Sequence, residues 1–193
     1  MLKNKLRFNK GFTLVELLVV IVILGILATI GLASFNSSQM KGRDSKRKSD
    51  LKEVAAALEL YYSDYGSYPS SDNGRIIGCP SSSVTGYCFW GSSEFTDVKT
   101  TYMKIVPGDP RSGEYFYRTV VLDSVNNQAY QLYAHLENSE DINCLPDEEG
   151  NRNCEKPNVP SVNCISGPCN FAVTSANVLP SEEGDEGAGA ELQ

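Results

Sequence analysis

The longest apolar run in this chain covers residues 12–35, and Glu16 is its single charge. As a helix, these 24 residues would span about 36 Å, enough to cross the hydrocarbon core of a bilayer. The apolar region of a secretory signal peptide runs to only about 15 residues. Gly31-Leu32-Ala33 has the small-x-small form of a conventional signal cleavage site, but the length of the run and the presence of Glu16 argue against that reading. A carboxylate deep in a span costs roughly 2.5–3.5 kcal/mol on insertion scales, and less near the interface. Such a residue needs a partner.

Beyond the run, the pattern becomes one-sided. Leu51, Val54, Leu58, Tyr61 or Tyr62, and Tyr65 recur at helical spacing. No proline interrupts before Pro69, and Gly66 in GSYP can adopt the left-handed cap that ends a helix. The pattern predicts one helix over residues 12–65. Its transmembrane first half is apolar all round; its second half is amphipathic and packs on a sheet.

Strand patterns follow. Residues 115–122 (YFYRTVVL) are aromatic and β-branched. Residues 128–136 (QAYQLYAHL) alternate Tyr130, Leu132, Ala134 and Leu136 against Ala129, Gln131, Tyr133 and His135. The turn-rich loop 123–127 (DSVNN) joins them into an antiparallel hairpin, one face of which meets the helix stripe. Residues 70–108 read as a loop-rich insertion in which Phe89 and Trp90 pack as a local mini-core. The acidic tail, residues 180–193, lacks apolar anchors and is expected to be disordered.

Charge narrows the function classes. The formal net charge is −7. From Gly66 onward there are 7 basic and 18 acidic residues, which disfavours a nucleic-acid-binding body. The basic residues gather at two places, Lys3, Lys5, Arg7 and Lys10 before the run, and KGRDSKRK (41–48) after it. Both clusters carry +4, so the positive-inside count does not orient the span. The second cluster would sit either at lipid headgroups or on a solvated helix face.

Candidate chemistry is sparse. There is one histidine, His135, which reads as structural, and no G-x-S-x-G, H-E-x-x-H or P-loop motif, so no enzyme is indicated. The six cysteines, Cys79, Cys88, Cys144, Cys154, Cys164 and Cys169, all follow the predicted span. They permit 15 connectivities. The first choice is pairing of neighbours, Cys79–Cys88, Cys144–Cys154 and Cys164–Cys169, each bond stapling a polar loop. Their spacings fit neither a zinc site nor a C-x-x-C redox motif. The acids in PDEEGNRN (146–153) read as a solvated loop.

A basic leader ending in Gly11, then FTLVE (12–16), then about 20 apolar residues, resembles the type IV prepilin signature of type IV pilins and type II secretion pseudopilins. LKEVAAALELYYSDYGSYP (51–69) and DPRSGEYFYR (109–118) resemble the helix end and the Asp-Pro-x-x-Gly-x-x-Tyr segment of the G-type pseudopilins. The departure is Arg111, where secretion-system members usually carry tryptophan.

The resemblance implies an α+β pilin-like fold, a long N-terminal helix on a small antiparallel sheet. The parts would be a prepilin leader (1–11), a transmembrane and filament-core helix (12–35), its amphipathic continuation (36–65), an extracytoplasmic sheet domain with disulfide loops (66–179) and the acidic tail (180–193). It implies cleavage by prepilin peptidase between Gly11 and Phe12 and N-methylation of Phe12. It gives Glu16 an assembly role, pairing with the Phe12 amine of a neighbouring subunit. Further implied partners are other copies of the chain in a helical filament, an inner-membrane assembly platform and the membrane itself, and no nucleic acid. The chain would cross the cytoplasmic membrane once, body outward, before entering an extracellular pilus or pseudopilus. No cofactor is implied except calcium, which G-type pseudopilins bind near their sheet loops; the candidates here are Asp123, Asn126 and Asn127. The expected function is that of a structural subunit of a type IV pilus or type II secretion pseudopilus. The alternatives are a surface adhesin on a minor pilin and a membrane-anchored domain that never polymerises.

Overall fold

The computed structural model describes residues 11–79, 86–97, 99–111, 113–122, 125–159, 162–165 and 167–180. The leader cations Lys3, Lys5, Arg7 and Lys10, the turn acid Asp123 and residues 181–193 of the tail lie outside that set. The chain forms two compact units, Met1–Met40 and Lys41–Gln193.

The described part of the first unit is mainly helical. Helix α1 runs through Leu14–Tyr65, and every residue from Leu14 to Thr29 is exposed. Its apolar side chains point in all directions, as expected of a helix surrounded by apolar material rather than lying on a core. By length and composition α1 can cross a membrane.

In the second unit α1 acquires a buried face. Leu51, Val54, Ala57 and Leu58 are buried, and each of the larger three contributes about 1.5–3 kcal/mol by leaving water. Tyr61 and Tyr62 are half-buried against the same core. Tyr65, expected on this stripe, is half exposed. Its ring stacks on Tyr61 with centroids 4.5 Å apart, and its hydroxyl donates to Asp97 at 2.5 Å, so the aromatic ring sits at the rim. The helix ends at Gly66, with φ of 68°, whose N–H donates to the Tyr62 carbonyl at 2.7 Å. That is the left-handed glycine cap.

The central sheet has three antiparallel strands in the order β10-β7-β6: β6 (Phe116–Leu122), β7 (Val125–Ala134) and β10 (Phe171–Thr174). The expected hairpin is β6-β7, with Tyr117 opposite Leu132 and Thr119 opposite Tyr130. Residues 125–127, expected in the turn, belong to β7, and β10 is an addition. Alternation along β7 sends Tyr130, Leu132 and Ala134 into the core shared with α1.

The opposite face of the sheet is covered as well. Tyr133 packs with Leu145, Val162 and Cys169, and Ala129 with Val120 and Val178. Side-chain hydrogen bonds hold the C-terminal segment there: Gln131 Nε2 donates to the Leu179 carbonyl, and the Tyr133 hydroxyl to the Pro180 carbonyl, both at 2.6 Å.

Residues 70–108, expected to be loop-rich, contain two small sheets. One is β1 (Ser71–Asp72), β2 (Arg75–Ile77) and β3 (Tyr87–Cys88); the other is β4 (Phe95–Thr96) and β5 (Thr101–Met103). Asn73 (φ 47°) and Gly74 (φ 75°) turn the chain from β1 to β2, the left-handed pair that favours Asn-Gly in tight hairpins. A Cβ on Gly74 would lie 2.7 Å from the Phe116 ring. Trp90 does not form a mini-core with Phe89. Trp90 joins the main core, its ring edge-on to Tyr115, and its indole N–H donates to the Gly74 carbonyl. Phe89 is 40% exposed, beneath the Arg75 guanidinium at 5.2 Å. Strands β8 (Asn163–Cys164) and β9 (Gly167–Pro168) form a short hairpin.

Candidate functional site

Two groups of side chains stand out, one at the start of α1 and one where the helix enters the folded unit. At the start, the Thr13 backbone N–H and hydroxyl donate to Glu16 Oε2 at 2.8 and 2.7 Å. The Glu16 N–H donates back to the Thr13 hydroxyl at 3.2 Å. This is a reciprocal capping box, which satisfies donors that the first helical turn leaves free. Glu16 therefore has a partner within its own chain. Thr13 was not singled out from the sequence, although T-x-x-E ahead of an apolar run is the signature of this cap. Phe12 lies one residue earlier and is 90% exposed.

The second group departs from a simple solvated face for the basic cluster 41–48, although Lys41 and Lys46 are exposed. Its arginines and Lys48 are held by acids of the protein, and Arg47 is fully buried. Arg47 Nε donates to Asp109 Oδ2 at 2.5 Å, and its terminal nitrogen lies 2.7 Å from Asp44 and 2.8 Å from Glu137. Arg43 grips Glu137 with two bonds, at 2.8 and 2.6 Å. Arg111, the position that departs from the secretion-system pattern, reaches Glu137 at 3.1 Å. Asp44 also accepts the backbone N–H groups of Glu137 and Asn138, both at 2.9 Å. Lys48 binds both Asp141 oxygens, at 2.6 and 2.7 Å, and Asn143 Oδ1 at 2.9 Å.

Position explains why these charges lie inside. Residues 44, 47, 51, 54 and 58 occupy one face at spacings of three and four, and all five are buried. The stripe read from Leu51 onward extends backward through an aspartate and an arginine. Burial of such charges is tolerable only with paired partners, which Asp109 and Glu137 supply. The hydrogen bond from Arg43 holds the Glu137 pKa down at about 2. Burial opposes the charge on Arg47, but its bonds to Asp109, Glu137 and Asp44 outweigh that and raise its pKa. Asp141 is likewise opposed by burial and held below its ordinary value by Lys48.

The structure bonds the cysteines as Cys79–Cys88, Cys144–Cys154 and Cys164–Cys169. His135 donates from Nδ1 to the Pro168 carbonyl at 2.8 Å, bracing β8-β9 against the sheet.

The prokaryotic N-terminal methylation motif matches residues 6–32. Type II secretion system core protein G of Pseudomonas aeruginosa is 34% identical over 113 residues, 58% of this chain and 74% of that protein. Its counterpart in Vibrio cholerae is 31% identical over 116 residues, covering 59% and 73%. The type IV major pilin protein PilA of Myxococcus xanthus is 39% identical over 70 residues, 36% of this chain and 31% of the pilin. No solved structure matches. The chain belongs to the type IV prepilin-like family. It is a structural subunit of the pilin and pseudopilin class, not an enzyme.

Of the calcium candidates, Asp123 and the Asn126 side chain lie outside the described residues. Asn127 Nδ2 donates to the Ser70 hydroxyl at 2.9 Å, and its carbonyl accepts the Tyr68 N–H. No three acidic, histidine or cysteine side chains converge as a metal site among the described residues. Asp147, in the acidic loop, spends Oδ1 on the N–H groups of Glu149 and Asn151.

Proposed function

We propose that this prepilin is cut between Gly11 and Phe12 by a prepilin peptidase, N-methylated on Phe12, and assembled into an extracytoplasmic filament. The observation that carries this reading is the exposed helix behind the motif. From Leu14 to Thr29 no side chain is buried by its own chain, so the apolar surface requires lipid or neighbouring subunits around it. The body lies outside the cytoplasmic membrane, where its three disulfides persist. An inner-membrane assembly platform would extract the subunit from the bilayer. A type II secretion pseudopilus is the favoured filament, because similarity to the G proteins extends over more than 100 residues.

In this reading Glu16 gains a partner on assembly. In the free chain it accepts from Thr13; in the filament it meets the Phe12 ammonium of a neighbour. A carboxylate has room for several donors, so the cap and the new pair can coexist.

Co-expression with a prepilin peptidase should remove 11 residues and leave a methylated Phe12, read by mass spectrometry of the N-terminal peptide. A mature protein starting at Ser34 would replace this reading with conventional secretion. An intact leader in the presence of an active peptidase would leave a membrane-anchored domain.

A further inference from the structure

The ion pairs on α1 and the Cys144–Cys154 disulfide hold the same short segment from opposite sides. The segment runs from Leu136 to Leu145, directly after β7. Asp44 caps the Glu137 and Asn138 amides, Arg43 and Arg47 hold Glu137, and Lys48 holds Asp141. On the other side, the Cys144 N–H donates to the Asp141 carbonyl at 3.2 Å. Cys154 Sγ lies 3.8 Å from that same carbonyl. Buried Asn170 closes the bracket: its amide donates to the carbonyls of Leu136 and Cys154 at 3.0 and 2.9 Å, and its Oδ1 accepts the Leu136 N–H at 2.6 Å.

Asp141 is the shared element. Its side chain binds the helix through Lys48, and its backbone carbonyl sits against both bonded cysteines. Cys144 and Cys154 are 5% and 7% exposed, so an external thiolate reaches them only when the segment opens. That opening separates Lys48 from Asp141.

We propose that the Cys144–Cys154 disulfide is a redox latch for α1: oxidation locks residues 43–48 of the helix onto the folded unit, and reduction releases them. On oxidation, two thiols lose two protons and two electrons to an exchanging disulfide, which becomes a dithiol, and the Sγ–Sγ bond forms. In supposing that the body folds on an oxidising side of a membrane, the proposal rests on the function proposed above. Its consequence is that residues 43–48 are held against segment 136–145 only after export. Cys79–Cys88 belongs to the β2-β3 end and should not share this role.

Coupling between two sites is reciprocal. Weakening the clamp must therefore make the bond easier to reduce. The test equilibrates the full chain, in detergent, with reduced and oxidised glutathione and quantifies each cysteine pair by differential alkylation and mass spectrometry. Lys48→Met and Asp44→Asn should each shift Cys144–Cys154 about tenfold toward the thiols and leave Cys79–Cys88 unchanged. In Cys144→Ser/Cys154→Ser, amide exchange should accelerate about tenfold or more at residues 43–50, with 51–58 still protected. An unchanged equilibrium overturns the proposal. Equal shifts at both disulfides also overturn it, because they report general loosening. If the double serine variant does not fold, the glutathione titration of the single variants still decides. No peptidase or filament enters this assay, so its failure is distinct from failure of the assembly reading.

Discussion

The two parts of α1 share one secondary structure and opposite circumstances. Residues 14–29 are exposed without exception; from residue 44, every third or fourth residue is buried. The earlier part is more apolar, yet the later part, with Asp44, Arg47 and Asp50 inside, has the core. Hydrophobic sequence therefore does not by itself locate the interior of a chain. A stripe on one face, matched by a sheet that presents complementary groups, does. In the function proposed above, the apolar part finds its partners in lipid or in other copies of the chain.

The sharpest way to break this contrast is Glu16→Val. It removes a charge from the exposed part and leaves the folded unit untouched. Membrane level and leader removal should survive, while sheared filament yield should collapse. Breaking a buried pair on one side costs ~3–5 kcal/mol, and each 1.4 kcal/mol is tenfold in association. Normal filament yield would end the intermolecular role of Glu16. Loss of the monomer itself would assign Glu16 to its own chain.

Arg47→Met addresses the other part. It removes the guanidinium that Asp44, Asp109 and Glu137 share, while Glu137 keeps Arg43 and Arg111. The folded unit should lose about 3–5 kcal/mol in urea unfolding, with filament contacts affected only through folding. A loss below 1 kcal/mol would mean the cluster is solvated and not part of the core.

Thr13→Ala separates the two roles of Glu16. It removes the helix cap, worth about 1 kcal/mol, and keeps the carboxylate. Filament yield should fall far less than in Glu16→Val. Equal losses would make the cap, rather than the intermolecular pair, the reason for the acid.

Acid should destabilise the folded unit. The folded pKa of Glu137 is about 2, below the unfolded value of about 4.3. The folded state thus binds fewer protons in that interval. Stability is fully present above about pH 4.3 and falls as pH drops toward 2. Asp97, held at about 2 chiefly by the Tyr65 hydroxyl, adds the same sign. At the alkaline end, the bond to Asp97 raises Tyr65 to about 12, so its contribution is present below pH 10 and disappears as pH approaches 12. Urea midpoints across pH would show both flanks, and an unchanged midpoint from pH 5 to 2 would remove Glu137 from the account.

Much of this was legible in the chain because the signals are local. The span of residues 12–35, the stripe at Leu51, Val54 and Leu58, the stop at Gly66 and the β6-β7 alternation each arise within a few residues. The small sheets of residues 70–108 were missed although Asn73-Gly74 is a hairpin signal; the strands around it are only two or three residues long. Phe89 and Trp90 are adjacent and equally aromatic, so local reasoning could not separate them. The Gly74 carbonyl and Tyr115 draw in Trp90, while Arg75 covers Phe89 from outside.

The sequence by itself determined the helix, its membrane-length apolar part and the family. All of these rest on periodicity or motif, and so on residues close in the chain. Only the tertiary structure decided the fate of the charges in KGRDSKRK. Arg47 can enter the interior because Asp109 and Glu137 arrive from positions 62 and 90 residues later. Burial of a charge depends on what meets it, and that meeting exists only once the chain has folded.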